Sequence, residues 1–432
     1  MSTRARAILA ACPRLARWPV GAVVAEALAA ALAAVDPRAR TAEATTRLVD
    51  VPAWNLLAVG KAAHAMAAGA RAVLGPRVLR SLVVSKHPPP ADAPVRDTRC
   101  GDHPLPGPRS LASGRAIAAF LGALPPGSGL CVLLSGGASS LAVLPAPGLD
   151  LADLTEAGRR ALAAGWPIER TNALRMRLDR LKGGGLRRLA GARPVVGLVL
   201  CDVPDGAPWR VGSSPLGVPP GALPDARTLQ GDAARLGLAP RVLRALAAAP
   251  PIPAPVPLEP VGRNADAVRA AASALVRRGL PVFRDNAPLR GPARAAGEDL
   301  ARAPWPKGTG ARVLGGETTV RVTGDGTGGR NTELALAAAL ALDGSGPVRG
   351  VVAFATDGED GVAPSAGGVA DPGLCAAIRR RGIDPAAALS NHDSYPALAA
   401  AGAAIALPPT GTNVADLAVA VALDGAPRPA RT

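Results

Sequence analysis

The chain has 432 residues, and its 49 Lys and Arg against 33 Asp and Glu leave a formal net charge of +16. The length and the 48% apolar content predict two or three folded domains with real cores. Only 2% of the residues are aromatic, which argues against a reader of RNA or single strands that works by base stacking. The positive charge comes from scattered arginines without a long basic run, so we interpret it as compositional bias.

Two features of the chain bear on its location. The five cysteines are odd in number and include no C-x-x-C pair, which predicts neither a disulfide framework nor a structural zinc site. Residues 19–35 are apolar but are interrupted by Glu26, so we predict a surface helix ending at Asp36 and Pro37 rather than a membrane span. We therefore expect a cytoplasmic protein.

Short apolar runs alternate with longer segments of helical period, which is typical of an α/β protein with a largely parallel sheet. In the first half, strands are predicted at 56–59, 81–85, 130–134 and 195–200, and helices at 61–74, 108–123, 151–164 and 170–190. A Pro-rich connection at 246–262 is predicted to separate an N-terminal domain, 1–245, from a C-terminal domain, 263–432. In the latter we predict helices at 264–278, 331–342 and 372–381, strands near 312–323 and 350–355, and a final strand–loop–helix over 403–422.

Glycine-rich loops adjoin the predicted strands and helices, where backbone N–H groups and a helix N-terminus can bind an anion. Gly60 follows the first strand, and Lys61 opens a helix, a position that opposes the helix dipole unless the lysine meets an anion. The loop 135–139 is phosphate-loop-like, although a plain tight turn explains it nearly as well. The glycines 183–185 after Lys182 are typical of a helix end.

Two more loops lie in the C-terminal half. The glycine run 324–329 leads Arg330 into a helix, where a guanidinium can bind a carboxylate or phosphate bidentately. Asp357 and Asp202 each follow an apolar strand, at the end where open α/β sheets bind ligands. Each aspartate alone could be a turn former. Together with the glycine loops and the rare lysines they favour Mg²⁺-assisted phosphoryl transfer.

Taken in order, these motifs resemble the glycerate 2-kinase family over roughly residues 20–420. The resemblance is carried by residues 58–63 (AVGKAA), 103–106 (HPLP), 135–139 (SGGAS), 172–175 (NALR), 181–184 (LKGG), 201–203 (CDV), 315–320 (GGETTV), 328–331 (GGRN), 356–361 (TDGEDG), 393–395 (DSY) and 410–414 (TGTNV).

The resemblance implies a two-domain α/β fold, in which a Rossmann-like three-layer N-terminal domain with a mostly parallel sheet precedes a smaller α/β C-terminal domain, called MOFRL. It implies a kinase that uses ATP and Mg²⁺ to phosphorylate D-glycerate to 2-phosphoglycerate in an interdomain cleft. No specific nucleic acid and no membrane is expected as a partner, and a homodimer is left open.

The resemblance also implies the site residues. Lys61, Arg330 and Asp202 would be catalytic, and Asp357 and Asp202 would bind the metal. Substrate or phosphate binding is expected from Gly60, Ser135, Gly136, Gly137, Ser139, Arg175, Lys182, Glu317, Gly328, Gly329 and Asn331.

Three alternatives stay open at this point. Departures from the family pattern, such as Ser214 where glycine is expected, would fit a diverged and weakly active member. Relatives have carried the label hydroxypyruvate reductase, and Gly324, Gly326 and Gly329 spell G-x-G-x-x-G, but no clear second strand leads to an acidic residue. The net charge motivates the third alternative, a non-enzymatic polyanion binder.

Overall fold

The computed structural model describes residues 1–48, 51–203, 205–224, 226–283, 288–304, 309–344 and 349–423. The chain divides into a central unit, Pro37–Gly262, and a discontinuous unit that joins Met1–Asp36 to Arg263–Thr432. The boundary between Gly262 and Arg263 coincides with the predicted start of the C-terminal domain. The first 36 residues, however, pack with the C-terminal part of the chain and not with the domain to which we assigned them.

The N-terminal segment explains this division. It forms α1 (Thr3–Ala10), α2 (Pro13–Arg17) and α3 (Gly21–Ala34). The last of these was predicted as a surface helix, but most of its residues are buried because it packs along the helix Asn264–Arg277. An ion pair of 2.5 Å between Arg14 and Asp371 also ties the segment to the discontinuous unit.

The central unit is an α/β unit around one six-stranded sheet. Its helices are α4 (Pro37–Thr45), α5 (Ala63–Leu74), α6 (Pro108–Gly122), α7 (Ala138–Leu141), α8 (Leu151–Ala163), α9 (Ile168–Leu178), α10 (Gly185–Leu189), α11 (Ala226–Arg235) and α12 (Pro240–Ala247). Its strands are β1 (Trp54–Val59), β2 (Val78–Ser85), β3 (Thr98–Cys100), β4 (Gly129–Leu134), β5 (Val195–Cys201) and β6 (Leu258–Arg263).

The strand order is β3-β2-β1-β4-β5-β6, and β2–β3, β1–β2, β1–β4 and β4–β5 pair in parallel. Every residue of β1 and β4 is buried, as expected of central strands in a parallel sheet. The prediction of a mostly parallel α/β fold is confirmed.

Two predictions in this unit need correction. The helix predicted over 170–190 is interrupted, because Asp179 is extended and Gly183 and Gly184 have φ of 53° and 75°. The Pro-rich connection is part of the unit, since β6 joins the sheet and the N–H of Val218 donates to the carbonyl of Pro253 at 3.0 Å.

The discontinuous unit continues with α13 (Asn264–Arg277), α14 (Ala293–Arg302), β7 (Gly310–Gly316), α15 (Arg330–Leu342), β8 (Arg349–Ala355), β9 (Gly367–Ala370), α16 (Leu374–Arg379), α17 (Pro385–Ser390), α18 (Ser394–Ala400) and β10 (Asp416–Ala422). Its sheet has the order β7-β10-β8-β9, and all three pairings are antiparallel. The smaller α/β C-terminal unit is thereby confirmed, and α15 lies at the centre of its core.

Two element predictions fail here. The strand predicted over 312–323 ends at Gly316, whose φ of 148° turns the chain. The helix predicted at the end of 403–422 is the strand β10, which lies between β7 and β8 and is buried at every residue. In the part of the chain that the structure describes, no helix is long and apolar enough to cross a bilayer.

Candidate functional site

The carboxyl ends of β1, β4 and β5 lie side by side and carry Gly60, Ser135 and Asp202. The two predicted phosphate loops contact each other there. The N–H of Lys61 donates to the carbonyl of Gly136 at 2.9 Å, and the N–H of Ala62 donates to Ser135 Oγ at 3.0 Å. These bonds hold the residue before α5 against the loop after β4.

Gly60 is required for this contact. Its φ is 136°, and a Cβ at this position would lie 2.1 Å from Ser135 Oγ and 2.6 Å from the Ser135 carbonyl oxygen. Both values are far below van der Waals contact, and a side chain is disfavoured at this φ. The glycine thus lets the two loops meet.

The side chain of Lys61 lies beside Gly137 and His103. A Cβ at Gly137, whose φ is 83°, would lie 3.3 Å from Lys61 Cγ and 3.2 Å from His103 Cδ2. The stem of the Lys61 side chain therefore lies next to this loop, at the start of the twelve-residue helix α5. A cation beside a helix N-terminus and small-residue backbone is a suitable environment for phosphate oxygens.

A chain of polar side chains extends from the same loop. Ser139 Oγ lies 2.8 Å from Ser213 Oγ, and Ser213 donates to Asn172 Oδ1 at 3.5 Å. Arg175 Nη1 donates to the same Asn172 oxygen at 3.3 Å. Burial lowers the pKa of Arg175, although a guanidinium stays protonated. The predicted residues Ser139 and Arg175 are thus connected through two residues that were not on the predicted list.

The loop that holds Ser213 is strained. Ser213 and Ser214 have φ of 61° and 60°, a region that side chains other than glycine adopt at a cost. Ser214 Oγ is buried without a hydrogen-bond partner. This geometry explains why the family pattern has glycine at 214.

Lys182 has a different environment. Its Nζ forms an ion pair with Asp179, and the two side chains are 4% and 1% exposed. Asp179 in turn accepts from the N–H groups of Leu144 and Leu181, at 3.2 and 2.9 Å. This pair fixes the turn between α9 and α10, so the geometry gives no support to the predicted contact of Lys182 with substrate.

In the discontinuous unit, Arg330 begins α15 and is held by two carboxylates. Its Nε and Nη2 donate to the two oxygens of Asp416, the second at 3.0 Å, and its Nη1 donates to Glu317. Burial disfavours the charge on Arg330, but the two carboxylates outweigh burial and raise its pKa. The predicted residues Arg330 and Glu317 are therefore in contact. The third residue of this cluster, Asp416, was not predicted from the sequence.

Asp416 is the first residue of β10, and its side chain is 1% exposed. Burial raises the pKa of Asp416, and the charge of Arg330 opposes that shift. The sequence signal for it was weak, because Asp416 lies two residues beyond the TGTNV motif.

Asp360 lies in the 356–361 motif but was not among the predicted site residues. One of its carboxylate oxygens accepts from the Asn331 N–H at 2.9 Å, and the other accepts from the Thr332 N–H at 2.7 Å. Burial raises the pKa of Asp360, and these backbone bonds oppose the shift. The Asp360 carboxyl group therefore caps α15. The predicted role of Asn331 in binding substrate or phosphate stays a prediction.

The glycine run before α15 packs against the chain itself. A Cβ at Gly326 would lie 2.4 Å from the carbonyl oxygen of Asn391, one at Gly328 2.4 Å from Ser394 Oγ, and one at Gly329 2.2 Å from the Asp360 carbonyl oxygen. Close approach to the protein's own turns therefore accounts for these glycines. The predicted role of Gly328 and Gly329 in binding phosphate stays a prediction.

Asp357 follows β8, as expected. Its Oδ1 accepts from the N–H of Glu359 at 3.0 Å, and its carbonyl accepts from the N–H of Thr410 at 3.0 Å. It is 8% exposed. The turn-forming role that the sequence allowed is therefore present, and a metal-binding role stays a prediction.

The comparisons with known proteins agree with the resemblance. The model of the MOFRL family matches residues 310–416, and that of a domain of unknown function, DUF4147, matches residues 23–247. D-glycerate 2-kinase of Thermotoga maritima is 34% identical over 84% of this chain and 89% of that protein. A putative hydroxypyruvate reductase of Agrobacterium vitis is 34% identical over 90% of this chain and 91% of that protein.

A solved structure supports the same relationship. The crystal structure of glycerate kinase from Thermotoga maritima superposes with a TM-score of 0.78 at 32% identity, over 92% of this chain and 98% of that chain. Sequence likeness and fold therefore agree along nearly the whole length. The chain belongs to the glycerate 2-kinase family.

Proposed function

We propose that this chain is a glycerate 2-kinase, which transfers the terminal phosphoryl group of ATP to the 2-hydroxyl of D-glycerate and releases 2-phosphoglycerate and ADP. The observation that carries the proposal is the likeness to D-glycerate 2-kinase of Thermotoga maritima over 84% of this chain and 89% of that protein. A cytoplasmic location stays a prediction from the sequence.

The central unit supplies groups suited to phosphoryl transfer, which depends mainly on positioning and on stabilisation of charge. Lys61, the first N–H groups of α5 and the backbone of the Ser135–Ser139 loop would bind phosphoryl oxygens. The contacts between the two loops support this role, because they fix the backbone around the lysine before any ligand binds. Ser139, supported by Ser213 and Asn172, would add a hydroxyl donor.

Mg²⁺ is the metal that such a reaction uses, and when bound it neutralises phosphate charge. Among the described residues, no group of three or more His, Cys, Asp and Glu side chains could hold a metal. In a kinase, Mg²⁺ is usually bound by one or two carboxylates together with phosphates and waters. Asp202, half-buried at the end of β5, would be such a ligand or would accept the hydroxyl proton. Asp357 is the second proposed ligand.

In the discontinuous unit, Arg330 would bind a carboxylate or a phosphoryl group. Its guanidinium has five N–H groups, and the bonds to Asp416 and Glu317 use three of them. Asp416 takes the side of the guanidinium that carries Nε, so a ligand would meet the Nη1 side.

A nicotinamide-dependent reductase is less well supported. In a dinucleotide-binding turn the glycine pattern directly follows a strand, and its backbone faces the pyrophosphate. Here β7 ends at Gly316, eight residues before Gly324, and a Cβ at Gly324 would lie 2.4 Å from Asn391 Oδ1. The pattern thus serves internal packing.

The test is one assay with the purified protein, D-glycerate, ATP and Mg²⁺. We expect ADP formation that requires D-glycerate, with phosphorus NMR identifying the 2-phosphate rather than the 3-phosphate. A parallel reaction with hydroxypyruvate and NADH should show no oxidation of NADH. Oxidation of NADH without ATP, or ADP formation that does not depend on D-glycerate, would overturn the proposal.

A further inference from the structure

The two carboxylates that hold Arg330 differ in accessibility. The Asp416 side chain is 1% exposed, whereas the Glu317 side chain is 41% exposed. Asp416 is also fixed by its backbone, since β10 pairs with β7 on one side and with β8 on the other. Water and ligands can therefore reach the Glu317 bond and not the Asp416 bond.

The backbone of Glu317 is fixed although its side chain is exposed. Its N–H donates to the carbonyl of Leu289 at 2.9 Å, and a Cβ at the preceding Gly316 would lie 2.1 Å from that same oxygen. Rotation of the Glu317 side chain is therefore enough to break its contact with Arg330, and the sheet need not move.

The negative charges around Arg330 disfavour the binding of a further anion beside them. One guanidinium already faces two carboxylates, and Asp360 also acts on it electrostatically. An anion added at Nη1 would meet the like charge of Glu317. If Glu317 turns away, the incoming anion takes its place on Nη1, and the number of charged partners of Arg330 stays the same.

We infer that Glu317 occupies the position of an anionic ligand on Arg330 and has to leave it when that ligand binds. The inference rests on the proposed function, because it assigns the Nη1 side of Arg330 to a substrate oxygen. The ligand group is a carboxylate or a phosphoryl oxygen, which D-glycerate or ATP would supply. Glu317 then competes with the substrate for Arg330. This role replaces the substrate-binding role that the sequence predicted for Glu317.

The test is Glu317→Gln, which keeps an oxygen that can accept from Arg330 but removes the charge. Partly exposed ion pairs are worth little, so we expect KM to fall about threefold to tenfold. A fall in KM for D-glycerate alone identifies the carboxylate, and a fall in KM for ATP alone identifies the phosphate. A residue that binds substrate would give the opposite result, so unchanged or raised KM values for both substrates overturn the inference.

Glu298→Gln is a matched control. Glu298 is 42% exposed, forms a 2.7 Å ion pair with Arg302 on the same unit, and its replacement changes the net charge equally. We expect it to leave both KM values unchanged.

A calorimetric titration with inorganic phosphate separates this inference from the proposed function. A parallel titration with D-glycerate probes the carboxylate. Tighter binding of either ligand to Glu317→Gln than to wild type supports the displacement even if D-glycerate is not turned over. Equal or weaker binding of both ligands, in a protein that does phosphorylate D-glycerate, overturns the displacement and leaves the kinase proposal standing.

Discussion

Gly60 allows a direct test of the contact between the two loops at the central sheet edge. In Gly60→Ala the new Cβ would lie 2.1 Å from Ser135 Oγ at a φ of 136°. An unfavourable positive φ costs about 1–2 kcal/mol, and forced overlap in a packed region adds about 1–3 kcal/mol. We therefore expect the free energy of unfolding to fall by about 2–5 kcal/mol.

The loss of activity should be larger than the loss of folded protein. Relief of the overlap has to move Lys61 away from the Ser135 loop, and a shift of about 1 Å costs on the order of 100-fold in rate. Gly75→Ala is the control, because Gly75 ends the same helix with a φ of 52° but has nothing within 4 Å of the added Cβ. It should lose about 1–2 kcal/mol of stability and keep its activity.

Equilibrium unfolding in urea and steady-state kinetics on the three proteins decide the matter. If Gly60→Ala is destabilised no more than Gly75→Ala and retains wild-type kcat/KM, the loops do not meet as described.

Three other predictions concern single side chains. Lys61→Ala should lower kcat by on the order of 10²–10³ without changing urea stability; wild-type kcat would remove Lys61 from the proposed machinery. Lys182→Ala leaves the buried Asp179 without its partner, so unfolding free energy should fall by about 3–5 kcal/mol; a rate loss at unchanged stability would indicate a substrate contact instead. Burial raises the pKa of Cys131 from 9.0 to about 12, so the unfolded state ionises first and stability falls as pH rises above 9. At pH 10.5 this thiol should cost about 2 kcal/mol, and Cys131→Ala should lose correspondingly less stability between pH 8 and pH 10.5. Equal losses in both proteins would contradict the shift.

The site at the central sheet could be predicted because its signals are local. Gly60, Ser135 and Asp202 each follow a run of apolar residues, and parallel strands bring their carboxyl ends to one edge. These three residues could be expected at that edge of the sheet without knowledge of the strand order. Their contacts with one another depend on β1 and β4 being neighbours, which no local pattern reveals.

The site around Arg330 could be predicted only in part because its partners are distant in sequence. Arg330 was recognised from the glycine-rich segment before it, whereas Asp416 lies 86 residues away and is the first residue of the strand that we mistook for a helix. β10 is rich in alanine and buried on both faces, so it lacks the alternation that marks a half-buried strand. Without that strand, nothing in the sequence placed Asp416 beside Arg330.

The discontinuous unit has a consequence for how the protein is made on the ribosome. α3 is complete early, but its packing partner α13 emerges only after the whole central unit has been synthesised. At about 5–20 residues per second, roughly 10 to 50 s separate the two. For that time the apolar residues of α3, which include Val24, Leu28 and Leu32, lack the packing surface that α13 provides in the native protein. The nascent chain therefore exposes part of the apolar surface of α3 while the central unit, which follows it in sequence, folds.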